Sequence, residues 1–216
     1  YAASYAEAHS TLGRIYALRH DLQLGRQYIE QAIDIQKRIN DQHGIARSYQ
    51  CIGNMCQHAG LYEEARVNLG YALNIFQQLG YRLDYANTLN DIGEIFRLGY
   101  NQYDAAENYY RHAIEIYREL NLSDSCTTII NLVLLLLSKQ RYTEAKQIVL
   151  SQIPLQEAAK QTTDLNWLYA ELLPCCAATF DWPTFGSVVL RLGNSLEESG
   201  VVDADILYCT ELAVNL

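Results

Sequence analysis

An all-α fold, built as a solenoid of antiparallel helix pairs, is predicted by three observations. Near-copies of one phrase, Leu12-Gly13-Arg14-Ile15-Tyr16, Ile52-Gly53-Asn54-Met55-Cys56 and Ile92-Gly93-Glu94-Ile95-Phe96, place glycines at 13, 53 and 93, a period of 40 residues. Between these marks apolar side chains recur at i, i+3 and i+4, the spacing of one buried helix face. Only three prolines occur in 216 residues, which suits long helices. Self-similarity at such a period means that one helical unit, unable to bury its apolar face alone, is stacked on copies of itself.

In chain order, helices are expected over about residues 4–19 and 22–39 in the first unit. The second unit is the clearest. Residues 45–59 carry Ala46, Tyr49, Ile52, Gly53 and Cys56 on one stripe, and Gly60 marks a turn. Its second helix runs from Tyr62 to about Leu79 with Ala65, Leu69, Ala72, Ile75 and Phe76 inward, and Gly80 ends it as a C′ residue. The same scheme gives helices at 85–99 and 103–120, 125–139 and 142–158, 165–179 and 182–199, and a last one beginning near Asp203. Gly53 and Gly93 are expected to let the paired helix approach closely near Ala65 and Ala106. Asp84, Asp124 and Asp164 recur 40 residues apart, each where an N-cap carboxylate would accept a backbone N–H and meet the positive end of the helix dipole. The whole is expected to be one array, with repeats of about 4–43, 44–83, 84–123, 124–163 and 164–202 and a terminal helix at 203–216.

These residues carry a family resemblance. An apolar residue, Gly, two residues and an aromatic in the first helix, then Ala-x-x-x-large in the second (Ala65 to Leu69, Ala106 to Tyr110, Ala145 to Val149), resemble the tetratricopeptide repeat, W-x₂-L-G-x₂-Y then A-x₃-F. The first unit matches through His9, Leu12, Gly13 and Tyr16, with His in place of Trp and Gly25 where Ala is usual. The fourth loses the glycine (Leu132, Val133, Leu136) and the fifth reads Leu172, Leu173, Cys176 with Pro174 inside the helix. The resemblance is strong over residues 4–120 and loose from 125 to 200. It implies a right-handed α-solenoid whose first helices line a concave groove. A period of 40 against the usual repeat of about 34 lengthens the second helix, with Gln77 where proline is usual. Long-helix repeats of this kind resemble those of kinesin light chains, of Leu-Gly-Asn-repeat adaptors and of large bacterial signalling proteins.

Composition narrows the function further. A net charge of −9, with no basic run longer than Lys37-Arg38, argues against a nucleic-acid partner. From residue 109 onward seven Lys/Arg face thirteen Asp/Glu, so that half carries −6, and a basic or neutral partner surface is expected. The apolar run Ile129 to Leu137, broken by Asn131, falls far short of the ~20 residues that span a bilayer. Cys51, Cys56, Cys126, Cys175, Cys176 and Cys209 form no disulfide framework and no zinc-ligand spacing, even with His58 beside the first two; they are expected to be free thiols in the cytoplasm. No cofactor or metal is expected. Phosphate-loop, zincin and serine-nucleophile strings are absent, and Glu63-Glu64 and Glu197-Glu198 are neighbours that point about 100° apart on a helix, which disfavours an enzyme. Tyr16, Tyr49, Tyr62, Tyr103, Tyr110, Tyr117 and Tyr142 fall at core or turn-packing positions. Because the sequence starts at Tyr1 and ends without an obvious polar capping helix, it is expected to be a piece of a longer protein.

The functional expectation is a groove for a protein or peptide segment. Polar residues outside the core stripe of the first helices are its candidates: Arg14, Arg47, Gln50, Asn54, Asn87, Asn90, Asp91, Glu94, Arg97 and, in the fourth repeat, Asn131. Asparagine offers donors and an acceptor to an extended backbone, and arginine holds carboxylates or carbonyls. Ile130, Leu134 and Leu137 make the fourth repeat's first helix apolar almost all round, and Trp167 and Pro174 continue that surface; it is either an apolar pocket or a covered face. The competing expectation is an intramolecular regulatory array that controls a kinase, NTPase or DNA-binding effector domain elsewhere in the full protein.

Overall fold

The computed structural model describes residues 1–19, 21–121, 126–199 and 202–216, the side chains of residues 198 and 199 aside. Among the described residues there is no strand. Within them eleven α-helices follow one another: α1 Ala2–Leu18, α2 Leu22–Arg38, α3 Gln42–His58, α4 Tyr62–Leu79, α5 Arg82–Glu94, α6 Tyr103–Glu119, α7 Cys126–Ser138, α8 Tyr142–Ala159, α9 Thr162–Ala178, α10 Trp182–Ser199 and α11 Ala204–Val214. They form two compact units, Tyr1–Leu120 and Asn121–Leu216.

In the first unit α1 pairs with α2, α3 with α4 and α5 with α6. Ile29 and Ile33 of α2, Ile52, Met55 and Cys56 of α3, Ala65 and Leu69 of α4, Ile92 of α5 and Ile95 just beyond it share one core, so burial runs across pair boundaries as a stacked array requires. Ala65, Leu69, Ala72 and Phe76 of α4 are fully buried, and Ile75 is half-buried. The glycines act as packing residues. A Cβ on Gly53 would sit 2.6 Å from Leu69 Cγ and 3.3 Å from the Ala65 carbonyl, so the expected contact at Ala65 is real but Leu69 is tighter. At Gly93 the neighbours are Tyr110, 2.7 Å from such a Cβ, and Tyr109 rather than Ala106, because the large residue of the second helix, not its alanine, lies over the glycine.

In the second unit α7 pairs with α8, α9 with α10, and α11 lies on α9. Every residue from Thr128 to Leu137 is buried, Ile130, Leu134 and Leu137 included, which answers the open choice at α7 in favour of a covered face. In α9 the buried stretch runs from Leu168 to Ala177 and takes in Pro174. Of the tyrosines expected at core or turn positions, Tyr110 and Tyr117 are buried and Tyr16, Tyr49, Tyr62 and Tyr142 half-buried. Tyr103 is exposed, since it opens α6 at the rim of the stack.

The turns repeat as regularly as the helices. Among the described residues, the eight turns from α2–α3 to α9–α10 each place a residue in the left-handed conformation: Asn40, Gly60, Gly80, Asn101, Asn121, Gln140, Lys160 and Phe180. Glycine and asparagine, the residues that tolerate positive φ, hold the first five. The interval from Gly80 to Asn101 is one residue longer than those before it, and α5 absorbs the extra residue as a π turn at Ile95–Gly99.

Helix starts depart from expectation. α3, α5 and α9 begin at Gln42, Arg82 and Thr162, three residues before the expected 45, 85 and 165. Asp84 and Asp164 therefore lie inside the first turn and cap nothing; the caps are Tyr81 and Gln161. Nothing in Arg82-Leu83 or Thr162-Thr163 breaks a helix, and an acid in the first turn already complements the dipole. Asp124 lies outside the described residues. Side-chain caps come instead from Asp21 and Asp41, which accept from Leu24 N and Gly44 N, and from Asp203 at the start of α11.

Candidate functional site

Four of the expected groove residues line one open cleft of about 780 Å³ in the first unit. Arg14 comes from α1, and Arg47, Gln50 and Asn54 from α3, where steps of three and four residues keep them on one face. The rest of the lining is largely apolar: Ala17 and Leu18 of α1, Leu22 of α2, and Cys51 and Met55 of α3, with His58 and Ala59 at the end. Arg14 and Arg47 are exposed, no Asp or Glu joins the lining, and neither guanidinium has an acidic partner among the described residues. The cleft is thus locally cationic in a chain of net charge −9, opposite to the sign that bulk composition led us to expect of the binding surface. Burial pushes the half-buried Cys51 thiol up to about 11 despite Arg14 and Arg47, so it stays protonated near neutrality and is no nucleophile. Asn54 Oδ1 is buried without a partner, leaving a spare acceptor on a residue that lines the cleft.

Behind the cleft, α3 and α5 meet along a polar seam. His43, Gln50 and Gln57, seven residues apart on α3, approach Asp84 at 3.2 Å, Asp91 at 3.0 Å and Glu94 at 3.0 Å on α5. Asp91 is also hydrogen-bonded by Asn54 and Asn90; burial nevertheless pushes its carboxyl up to about 6, with nearby Glu94 adding to the effect.

The remaining candidates are placed elsewhere. Asn87 accepts a hydrogen bond from the Tyr117 hydroxyl at 2.6 Å, and Arg97 Nε reaches the Tyr110 hydroxyl at 3.4 Å. Asn90 is buried, and Asn131 is buried in α7 of the second unit. The expectation that these two asparagines stand outside the core is therefore corrected. It assumed one buried face per first helix, whereas a helix stacked between neighbours has at least two. Leu18 and His58 were missed, although each sits one helical turn beyond a named residue, Arg14 or Asn54, and so shares its face. Among the described residues no three His, Cys, Asp or Glu side chains come together to hold a metal ion. No helix among them is long and apolar enough to cross a membrane.

Residues 44–119 match the family model described as tetratricopeptide repeat. No curated protein sequence matches the chain. Among solved structures, BtubC (BKLC) from P. vanneervenii superposes with a TM-score of 0.83 at 17% identity, covering 94% of this chain and 84% of that one. The nearly identical TPR-like repeats of a putative kinesin light chain from Podosopora anserina give 0.73 at 13% identity, covering 93% and 98%. A Rap protein complexed with competence and sporulation factor gives 0.63 at 16% identity, covering 91% and 65%. The chain has the fold of a tetratricopeptide-type repeat array, its family match resting on the two best-formed repeats.

Proposed function

We propose that the chain is a non-enzymatic protein- or peptide-binding module, and that the cleft between α1 and α3 receives a segment pairing an acidic group with an apolar side chain. One observation carries this reading: two exposed arginines without acidic partners among the described residues stand over a mostly apolar cleft that has no acid in its lining. Charge-assisted hydrogen bonds from arginine to a carboxylate are among the stronger ones available to a surface, while Leu18, Leu22 and Met55 offer an apolar seat. Gln50 and Asn54 are at hand for the partner's backbone. The Rap protein complexed with competence and sporulation factor is a precedent of the same fold, although its identity of 16% transfers no residue. Six free cysteines, five of them buried, support a reducing compartment, which we take to be the cytoplasm.

An array of synthetic peptides that combine acidic and apolar residues, set against basic counterparts, tests the proposal. Capture of acidic peptides that weakens in an Arg14→Gln, Arg47→Gln chain is expected. Capture of basic peptides alone, or acidic capture indifferent to both substitutions, overturns it.

A further inference from the structure

The repeat register singles out Glu171. Counting back by 80 residues from Glu171 gives Asp91, and counting back from Ile130, Leu134 and Ala170 in the same way gives Gln50, Asn54 and Asn90. Those three amides are the groups that hydrogen-bond Asp91. In the second unit an acid is kept at this register position, but all three donors are replaced by buried apolar residues. Glu171 is 1% exposed, and both of its carboxyl oxygens are buried without a partner. Beside it lies a gap with no room for a water molecule in this conformation, lined by Ile130, Trp167 and Ala170 and by Asp205, Ile206 and Cys209 of α11. Among the described residues, the charged and titratable groups that act there are Asp205 and Cys209 from α11, Cys175 from α9 and Cys126 from α7, none of them a cation. Lys146 of α8 acts on Cys175, but its ammonium is already taken by Asp181 at 2.8 Å and Thr179 at 2.9 Å.

We propose that Glu171 anchors a second binding site, for a primary ammonium carried on an apolar stem, which α11 covers in this conformation. An ammonium supplies the donors the missing amides no longer give, the apolar replacements suit its stem, and the Trp167 ring offers a cation–π face. Asp205 adds negative charge at the same place. Without a ligand, a carboxyl buried with neither oxygen partnered is costly to ionise, and burial and Asp205 hold Glu171 well above the usual carboxylate range. Binding of an ammonium ion then ionises Glu171, and its proton goes to the buffer. The site shares no residue with the cleft of the first unit, and this inference does not rest on the reading of that cleft.

The test titrates the full chain with n-butylammonium chloride, and with n-butanol as the neutral isostere, at constant ionic strength and pH 7.5. Calorimetry in phosphate and in Tris is expected to show saturable butylammonium binding with net proton release and no butanol binding. Affinity should fall at least ~10-fold in Glu171→Gln, since each 1.4 kcal/mol is tenfold, and stay unchanged in the Arg14→Gln, Arg47→Gln chain. Absence of saturable binding, binding without proton release in the wild-type chain, or equal affinity in a folded Glu171→Gln chain overturns the proposal. The proton count needs no variant, so it decides the matter even where Glu171→Gln fails to fold.

Discussion

Gln50 Nε2 donates to Asp91 Oδ2 across 3.0 Å, joining a residue that lines the cleft to a carboxyl on the next first helix. Asn54 does the same from the adjacent turn, so the amides of the cleft are oriented by an acid that does not itself line it.

That acid gives the fold a pH signature. Burial holds the Asp91 carboxyl at about 6, whereas an unfolded aspartate titrates near ~3.9. Because the folded value is the higher one, the stability that Asp91 contributes is fully present below about pH 4 and is lost as the pH rises through about 6. The gap corresponds to ~3 kcal/mol at most, at ~1.4 kcal/mol per pH unit. Asp91→Asn keeps a neutral acceptor for Gln50 and removes the titration. Urea midpoints taken from pH 4 to 7.5 should show the wild-type chain losing ground to the variant over this window. A difference between the two that stays constant with pH would mean that Asp91 does not titrate in the folded state as described.

The repeat explains which parts of this were legible in the sequence. Helix pairing follows from the glycines at 13, 53 and 93 and from the Ala65 to Leu69 spacing, because burial of one face is a property of one repeat at a time. The α3–α5 seam is a property of two repeats together. Asp91 reads as a solvated groove acid until α3 brings Gln50 and Asn54 to it. Asn90 and Asn131 were misplaced for the same reason. The left-handed residues show the limit differently: Gly60 and Gly80 announce themselves chemically, whereas Gln140, Lys160 and Phe180 are fixed only by the roughly 20-residue beat of the turns.

The close approach of paired helices can be probed at two glycines against a third. Gly53→Leu and Gly93→Leu would drive carbon into Leu69 and Tyr110, each already under 3 Å from a built Cβ. Overpacking of this kind costs about 1–3 kcal/mol. Gly70 lies in the interior of α4 with nothing within 4 Å of a Cβ, so Gly70→Ala should stabilise by about 0.5–1 kcal/mol through helix propensity alone. Guanidinium midpoints should move in opposite directions for the two classes, and a common direction would contradict the packing.

Turn conformation makes a similar pair. Lys160 ends α8 at φ 56° and Gly80 ends α4 at φ 74°. Lys160→Gly relieves a left-handed L-residue and should raise stability by up to about 1 kcal/mol, while Gly80→Ala should lower it by about 1 kcal/mol. Thermal melting of both variants checks the signs.

Binding and stability should separate between the cleft and its seam. Arg14 and Arg47 are exposed and have no acidic partner among the described residues, so no ion pair seen there is lost with their charge. Replacing both by Gln should leave the folding stability within about 0.5 kcal/mol of wild type, as for surface positions generally. An acidic peptide held by both should lose about 1.5–3 kcal/mol for each charge-assisted bond removed. Asn90 is the opposite case. It is 9% exposed and bonded to Asp91, so Asn90→Ala strips a donor from a buried carboxyl. That should cost about 1–3 kcal/mol of stability, while at a temperature where the variant is folded the peptide's affinity should change far less than in the arginine pair. Fluorescence anisotropy with one labelled peptide and melting curves on the same samples give both readouts. If the arginine pair melts early with affinity intact, and Asn90→Ala loses affinity with its melting curve unmoved, the two roles have been assigned the wrong way round and the seam, not the cleft, is where the partner binds.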